Sequence, residues 1–312
     1  MTTFAFTFPG QGSQAVGMLD AWGGDAAVRQ TLQEASDALG EDVARLIHAG
    51  PKEQLDLTTN TQPVMLTAGI ACYRAWLAET GMAPSVVAGH SLGEYTALVA
   101  AGSLTLADAL PLVRYRAQAM QDAVPVGVGA MAAILGMDAQ AVREGCAEVA
   151  AATGEAVEAV NFNDPKQTVI AGTKAGVEKA CDVLKAKGAK RALPLPVSAP
   201  FHSSLMKPAA ERLKGRLAET NFAAPKIDVI NNIDVTVQTD AAAIRDALYR
   251  QAFGPVRWVE TVQAIRARGV THLIECGPGK VLAGMVKRID ADAISGAVLD
   301  PATLADVKGL LA

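Results

Sequence analysis

Short apolar runs alternate along the chain with longer stretches that have a helical pattern. The first run, residues 4–8, reads Phe-Ala-Phe-Thr-Phe and ends at Pro9-Gly10, which predicts a buried strand. Further strands are predicted at 85–88, 227–230, 270–275 and 295–299. Because strands that alternate with helices form largely parallel sheets, the pattern predicts an α/β fold.

The pattern changes after Pro125-Val126-Gly127. From there on, the predicted elements are strand, helix, strand, strand, helix and strand, at 129–135, 138–151, 156–162, 167–171, 174–187 and 189–195. This β-α-β-β-α-β order is typical of a ferredoxin-like unit. We therefore expect a small ferredoxin-like domain, residues 126–195, inserted into a larger domain formed by residues 1–125 and 196–312.

Two predicted helices of the larger domain contain a proline near their start. Pro63 opens a helical stretch that runs to Glu79, and in a first turn its missing N–H is tolerated. Thr105 and Asp108 have the spacing of a capping box at the start of another helix. Pro111 interrupts that helix, so we expect either a kink or a start later than the cap indicates.

Composition narrows the class of protein. The 312 residues are 50% hydrophobic and 19% charged, with a net charge of −4, which is typical of a globular protein with a large core. This balance gives no reason to expect nucleic acid or an anionic membrane as a partner. No secretory signal and no membrane-spanning run is predicted, and four cysteines without CxxC spacing favour reduced thiols in a cytoplasmic protein.

The segment Gly89-His90-Ser91-Leu92-Gly93 lies between a predicted strand and a short predicted helix. Gly-x-Ser-x-Gly at such a junction is typical of a nucleophile elbow, whose sharp turn exposes the serine hydroxyl. Side chains two residues before and after the serine would collide, which explains both glycines. The pattern predicts Ser91 as a nucleophile, with the backbone N–H of Leu92 available to an oxyanion. The alternative is a chance match in a glycine-rich loop.

A serine hydroxyl needs a base to be nucleophilic at neutral pH, and the chain has four histidines. His48 ends a predicted helix and His272 lies in a predicted strand, so neither is expected to act on substrate. His90 adjoins Ser91, but neighbours on a strand point to opposite sides, and we expect His90 to support the turn. His202 lies in a proline-rich loop before a helix, and elimination favours it as the base.

An ordinary catalytic triad also needs an acid that orients the histidine. The nearest candidate between Ser91 and His202 is Asp164, whose Asn-Asp-Pro setting is typical of a turn, so a standard serine hydrolase is not predicted. Residues 10–15 mimic a dinucleotide-binding fingerprint. No second strand ending in an acid follows them, and the nucleotide interpretation is discounted.

Five short segments carry a family resemblance: Gly-Gln-Gly-Ser-Gln at 10–14, Gly-His-Ser-Leu-Gly-Glu at 89–94, Asn-Phe-Asn at 161–163, Ala-Pro-Phe-His-Ser at 199–203 and Gly-Pro-Gly-Lys at 277–280. Together they resemble malonyl-CoA:acyl-carrier-protein transacylases, and the resemblance runs from about residue 4 to 289. Acyltransferase domains of polyketide and fatty-acid synthases and the malonyl transferase of malonate decarboxylases are similar. The resemblance implies an α/β-hydrolase-like large domain with an inserted ferredoxin-like one.

The resemblance also implies a Ser91–His202 dyad in place of a triad. Such a histidine is oriented by a neutral amide or a main-chain carbonyl, and Gln251 occupies the matching position. Backbone N–H groups of Gln11 and Leu92 are implied as the oxyanion hole.

Three further residues are assigned to the acyl pocket by the resemblance. Arg116 is the counterpart of an arginine that pairs with the free malonyl carboxylate, although position alone does not choose between Arg114 and Arg116. A planar guanidinium binds a carboxylate through two charge-assisted hydrogen bonds. Phe201 resembles a residue whose bulk excludes an α-methyl branch, and Gln62 resembles a pocket residue, although a polar group at a helix start is as good an interpretation.

The implied reaction is a ping-pong transfer of malonyl from malonyl-CoA to the pantetheine thiol of acyl carrier protein, which supplies fatty acid synthesis. No bound cofactor and no metal is expected. The nearest alternative is a malonyl transferase of a polyketide synthase or malonate decarboxylase system. An alternative from another class is a serine thioesterase or esterase.

Overall fold

The computed structural model describes residues 3–197 and 199–312. Its strands are β1 Phe4–Phe8, β2 Val86–Gly89, β3 Gly129–Leu135, β4 Val157–Asp164, β5 Gln167–Thr173, β6 Arg191–Pro194, β7 Asp228–Ile230, β8 His272–Cys276 and β9 Ile294–Val298. Its α-helices are α1 Ala26–Leu39, α2 Val43–Ala49, α3 Lys52–Leu55, α4 Thr58–Thr80, α5 Gly93–Ala100, α6 Leu106–Asp122, α7 Ala139–Thr153, α8 Lys174–Ala186, α9 Lys207–Glu219, α10 Ala241–Gln251, α11 Trp258–Ala267, α12 Val281–Ile289 and α13 Pro301–Leu311.

Five strands form a parallel sheet in the order β7-β2-β1-β8-β9. β1, β2 and β8 are buried along their whole length, because helices pack on both faces of the sheet. On one face, Phe6 of β1 packs edge-on against Tyr73 and Trp76 of α4. We call this sheet with its helices the parallel-sheet unit. The carboxyl ends of β1 and β2 lead directly to Gln11 and Ser91 at one edge of the sheet.

Residues 129–194 form the small-sheet unit, an antiparallel sheet with the strand order β4-β5-β3-β6. α7 and α8 cover one face of this sheet through a continuous apolar core. The other face, which includes Met131 and Val169, packs with Leu195 and Phe201 of the segment that leads back into the parallel-sheet unit. Two backbone hydrogen bonds between β4 and Val256, of 2.8 and 2.9 Å, connect the two units.

The predicted α/β class is confirmed, and each strand predicted from the sequence is present, with ends that differ by up to two residues. The start predicted for α4 was wrong, because the helix begins at Thr58, five residues before Pro63. α6 also does not begin late: it starts at Leu106, directly after Thr105, whose side chain accepts a hydrogen bond from the Asp108 N–H. This cap stabilises the first turn although Pro111 removes one hydrogen bond inside the helix.

Candidate active site

Ser91 lies at the apex of a sharp turn between β2 and α5, with a φ of 54°. A Cβ atom on Gly89 would lie 1.9 Å from the carbonyl of Gly93, and a Cβ on Gly93 would lie 2.1 Å from the carbonyl oxygen of Phe8. No side chain can be accommodated at those distances, so the predicted reason for both glycines is confirmed. The turn therefore has the geometry of a nucleophile elbow.

Asn232, which follows β7, stabilises this turn through two hydrogen bonds. Its Oδ1 accepts a hydrogen bond from the Ser91 N–H at 2.7 Å, and its Nδ2 donates to the Gly89 carbonyl at 2.7 Å. Asn232 is fully buried. Since the N–H of Ser91 is engaged here and that of Gly93 donates to His90, the Leu92 N–H between them is the donor left for an oxyanion. Asn232 was not predicted from the sequence, since a polar residue after a short strand has no distinctive pattern.

His202 faces the Ser91 hydroxyl, with its Nε2 2.6 Å from Ser91 Oγ. Its Nδ1 lies 2.9 Å from the backbone carbonyl oxygen of Gln251. A carbonyl only accepts hydrogen bonds, so Nδ1 carries the proton and Nε2 presents a lone pair to the serine. The histidine is therefore oriented by the main-chain carbonyl of Gln251. Among the described residues, His202 is the one histidine that contacts Ser91 Oγ, and it is the histidine that remained after the other three had been eliminated on sequence grounds.

The His202 imidazole is held in its neutral form. Burial and, to a smaller extent, the nearby positive charge of Arg116 lower the pKa of His202 to about 3, although the hydrogen bond to the Gln251 carbonyl opposes the shift. A neutral imidazole is the form that can accept a proton from Ser91. His202 also has a φ of 65°, so both members of the pair adopt left-handed backbone conformations.

Arg116 reaches the same place from α6 and is only 2% exposed. Its Nη2 donates to Ser91 Oγ at 3.2 Å, and its Nη1 donates to Gln62 Oε1 at 2.9 Å. Its Nε has no hydrogen-bond partner among the described residues. Arg114 instead forms an ion pair with the half-exposed Glu41 on the outside of the helix. The structure thus places Arg116, and not Arg114, beside the nucleophile.

A cavity of about 130 Å³ joins these residues. Every site residue named from the sequence except Gln251 lines this cavity, namely Gln11, Gln62, Ser91, Leu92, Arg116, Phe201 and His202. Gln251 does not line the cavity and is fully buried. Four apolar lining residues were not predicted from the sequence: Met120, Met131, Leu195 and Val197. Met131 belongs to β3, and Leu195 and Val197 lie in the segment directly after β6, so these residues approach Ser91 only through tertiary packing.

The other histidines and Asp164 have different surroundings. His90 Nε2 lies 2.8 Å from Asn163 Oδ1 and its ring packs against Trp258, which fits a supporting role, although the ring also lines the cavity. His48 pairs with an aspartate at the surface, and His272 is buried in β8. Asp164 forms an ion pair with Arg288 at 2.6 Å. Among the described residues, no carboxylate contacts His202.

Two features are absent from the part of the chain that the structure describes. No group of three or more potential metal ligands lies close together there. No helix in this part of the chain has the length and apolar character needed to cross a membrane. All four cysteines are buried thiols, and burial raises the pKa of Cys72 and of Cys146 to about 12.

The chain resembles known proteins along almost its whole length. Residues 5–309 match the family described as acyl transferase domain, which defines the class of this protein. The malonyl CoA-acyl carrier protein transacylase of Salmonella typhimurium is 53% identical over 305 residues, which cover 97% of this chain and 98% of that protein.

Solved structures agree with this match. An acyl-carrier-protein S-malonyltransferase from Burkholderia pseudomallei is 67% identical and superposes with a TM-score of 0.96, covering 98% of this chain and 99% of that one. A malonyl-transacylase solved in complex with its type II polyketide synthase acyl-carrier protein is 50% identical, with a TM-score of 0.95 and coverage of 97% and 98%. The chain belongs to the malonyl-CoA:acyl-carrier-protein transacylase family of acyl transferases.

Proposed function

We propose that this protein transfers a malonyl group from malonyl-CoA to the pantetheine thiol of acyl carrier protein through a malonyl-Ser91 intermediate. The observation that carries the proposal is Arg116, a buried guanidinium whose Nε–H lacks a partner among the described residues and whose Nη2 donates to Ser91 Oγ. A buried cation in this position fits an acyl group that ends in a carboxylate. The name of the Salmonella relative contains the same donor and acceptor, and that of the Burkholderia relative contains the same transferred group and acceptor.

In the first half-reaction, Ser91 Oγ attacks the thioester carbonyl while His202 Nε2 accepts the serine proton. The tetrahedral oxyanion is stabilised by the backbone N–H groups of Leu92 and Gln11. The carbon–sulfur bond then breaks, and the imidazolium returns its proton to the departing CoA thiolate. The product is malonyl-Ser91, whose free carboxylate pairs with Arg116.

The second half-reaction runs the same steps in reverse with a different thiol. His202 Nε2 accepts the proton of the pantetheine thiol, whose sulfur attacks the malonyl-Ser91 carbonyl, and the imidazolium then protonates the Ser91 oxygen as it leaves. A second cavity of about 290 Å³ shares Gln11, His90, Asn161 and Leu195 with the first and extends between the two units. This adjoining space is suited to the extended arm that either thiol substrate carries to Ser91.

The same topology supports the finer description of the fold. The parallel order β7-β2-β1-β8-β9 with an elbow after β2 fits an α/β-hydrolase-like domain of residues 1–125 and 196–312. The order β4-β5-β3-β6, built from a β-α-β-β-α-β segment, fits a ferredoxin-like domain of residues 126–195. We place the protein in the cytoplasm, without a bound cofactor, in fatty acid synthesis.

A malonyl transferase that serves a polyketide carrier is the second candidate. It is favoured by the 50% identity to a malonyl-transacylase whose solved partner is a type II polyketide synthase acyl-carrier protein. Transfer rates to purified fatty-acid and polyketide carrier proteins distinguish the two candidates.

Intact-protein mass spectrometry after mixing with malonyl-CoA tests the proposal. We expect one malonyl group, located on Ser91 by peptide mapping, that holo acyl carrier protein removes and apo carrier protein does not. A malonyl group at another residue, or none on the folded enzyme, would contradict the mechanism. Rapid release of free malonate without any carrier protein would support a thioesterase instead.

A further inference from the structure

Gln251 connects His202 and Arg116, the two residues on which the proposed reaction depends. Its backbone carbonyl orients His202, while its side-chain Oε1 accepts a hydrogen bond from Arg116 Nη2 at 3.1 Å. Its side-chain Nε2 donates to the Ser91 carbonyl and to Glu94 Oε2, both at 3.0 Å. Glu94 is thus one residue removed from the guanidinium that the malonyl carboxylate would contact.

The neighbours of Gln251 decide which way its amide faces. An amide has one accepting end and one donating end, whereas a guanidinium only donates and an ionised carboxylate only accepts. With Glu94 ionised, Nε2 must face Glu94, and Oε1 then faces Arg116. The opposite orientation would place the amide N–H groups against the arginine and the amide oxygen against the carboxylate. Glu94, together with the Ser91 carbonyl, therefore keeps the accepting end of Gln251 on Arg116.

Glu94 also provides the negative charge that accompanies the buried arginine. Arg116 and Glu94 are each only 2% exposed. Among the described residues, the side-chain hydrogen bonds of Arg116 go to Gln62, Gln251 and Ser91, which are neutral. A direct ion pair with Glu94 would occupy the N–H groups that a substrate carboxylate needs. The intervening amide avoids that competition while the two charges still attract each other.

We propose that Glu94 is a positioning residue for acyl selection, which acts through Gln251 to hold Arg116 ready for the carboxylate of the substrate. This inference rests on the proposed malonyl transfer and deepens it. Glu94 is expected to influence the preference for malonyl over acetyl groups, because an acetyl group has no carboxylate for Arg116 to bind.

The protonation of Glu94 offers an independent readout. Burial raises the pKa of Glu94 to about 7, while the Asn232 N–H, Gln251 and the charge of Arg116 act to lower it. Among the described residues, the charge of Asp234 also acts on Glu94: it raises the pKa, and Asp234 is itself paired with Arg250. Below the pKa the carboxyl is neutral and Gln251 Nε2 loses its charged acceptor, so the amide is held less firmly, by the Ser91 carbonyl and Arg116 alone. The malonyl preference should therefore fall as the pH decreases through about 7.

The test uses Glu94→Gln, which keeps the shape and an accepting oxygen but removes the charge. The measured quantity is the ratio of kcat/KM for malonyl-CoA to that for acetyl-CoA, with one carrier protein. We expect this ratio to fall about three- to tenfold at high pH, mainly through malonyl-CoA. The matched control is Glu275→Gln in β8, which is also buried and also has a raised pKa, and which should leave the ratio unchanged.

The pH dependence of the same ratio in the unaltered enzyme is the second measurement, from about pH 6 to about pH 8.5. Titration of His202 or of the CoA phosphates affects both substrates and cancels in the ratio. We expect the ratio to rise with pH in the unaltered enzyme and to be flat in Glu94→Gln. If that variant does not fold, the profile of the unaltered enzyme decides alone.

The possible outcomes separate this inference from the proposed function. An enzyme that transfers no malonyl group contradicts the proposed function. If the enzyme prefers malonyl and Arg116→Ala abolishes the preference, but Glu94→Gln retains it or the unaltered ratio is independent of pH, the role of Glu94 alone is wrong. A lowered, pH-independent ratio in Glu94→Gln supports it.

Discussion

The parallel-sheet unit surrounds Ser91 with polar side chains that hold one another, whereas the small-sheet unit, with Leu195 and Phe201 of the segment that follows it, contributes a largely apolar wall. Asn232, Gln251 and Arg116 each hydrogen-bond to Ser91, and all three are buried. Met131 of β3 faces the same cavity from the other side without such bonds, together with Leu195 after β6. The difference indicates a division of labour, in which one unit fixes the reacting groups and the other shapes the space for the substrate.

Backbone strain is found on the side of the polar network. Ser91 and His202 have φ values of 54° and 65°, conformations that cost roughly 1–3 kcal/mol each for residues other than glycine. Asn232 holds the strained turn by hydrogen bonds with the Ser91 N–H and the Gly89 carbonyl, and the Gln251 carbonyl holds the histidine. The network thus stabilises a geometry that the local sequence would not adopt on its own.

The largest effect is expected from His202→Ala, which removes the base from the polar side. Loss of a general base reduces rates by about 10²–10⁴-fold, and single-turnover acylation by malonyl-CoA should fall by that order. His90→Ala is the control, because its ring contacts Asn163 and Trp258 rather than Ser91 Oγ, and it should keep substantially more activity. Equal losses in the two variants would contradict the assignment of the base.

Arg116→Ala should have the next largest effect, and it concerns selectivity. A hydrogen bond to a charged group contributes roughly 1.5–3 kcal/mol, which corresponds to about a ten- to a hundredfold change in kcat/KM for malonyl-CoA. Acetyl-CoA should be little affected, so the malonyl-to-acetyl ratio falls. Arg114→Ala, which breaks a surface pair with Glu41, should leave the ratio nearly unchanged. A collapse of the ratio in Arg114→Ala alone would reverse the assignment.

The two sides of the cavity were not equally predictable from the sequence. The elbow was found because two glycines and a serine at a strand–helix junction have a local steric cause. His202 was reached by elimination, and the choice of Arg116 over Arg114 needed a resemblance, since both lie on one helix. Asn232 and the contacts of Glu94 were missed, because a polar side chain that meets its partners more than a hundred residues away leaves no local pattern. The same holds for Met131, which a strand pattern marks only as buried.

The apolar wall should control the size of the acyl group. Phe201→Ala enlarges the cavity beside Ser91, and a pocket discriminates one extra carbon by about 1–3 kcal/mol, so use of methylmalonyl-CoA relative to malonyl-CoA should rise about tenfold. Because Phe201 adjoins His202, Met131→Ala on β3 is the matched variant and should act in the same direction. The measurement is the ratio of kcat/KM for the two substrates. An unchanged ratio in both variants would mean that this wall does not limit the acyl group.

The last prediction concerns stability and leaves the reaction itself unchanged, and it also belongs to the parallel-sheet unit. Glu275 of β8 is fully buried and accepts a hydrogen bond from the Ala283 N–H at the start of α12. Burial raises the pKa of Glu275 from 4.5 to about 7, although the backbone N–H groups of α12 oppose the shift. Glu94, the other glutamate whose pKa is raised to about 7, lies in the same unit.

A raised pKa in a buried acid lowers the free energy of unfolding as the pH increases. Between about pH 4.5 and about pH 7 the folded protein keeps a proton that the unfolded chain releases, so the stabilisation present at low pH is lost as the pH rises through the folded-state value. Glu275→Gln cannot titrate. The variant should therefore become more stable relative to the unaltered protein as the pH rises. The difference between their free energies of unfolding should shift in favour of the variant by up to about 3 kcal/mol between about pH 5 and about pH 8. Urea unfolding followed by tryptophan fluorescence at both pH values measures this difference, and an equal offset at the two values would show that Glu275 is not protonated in the folded protein.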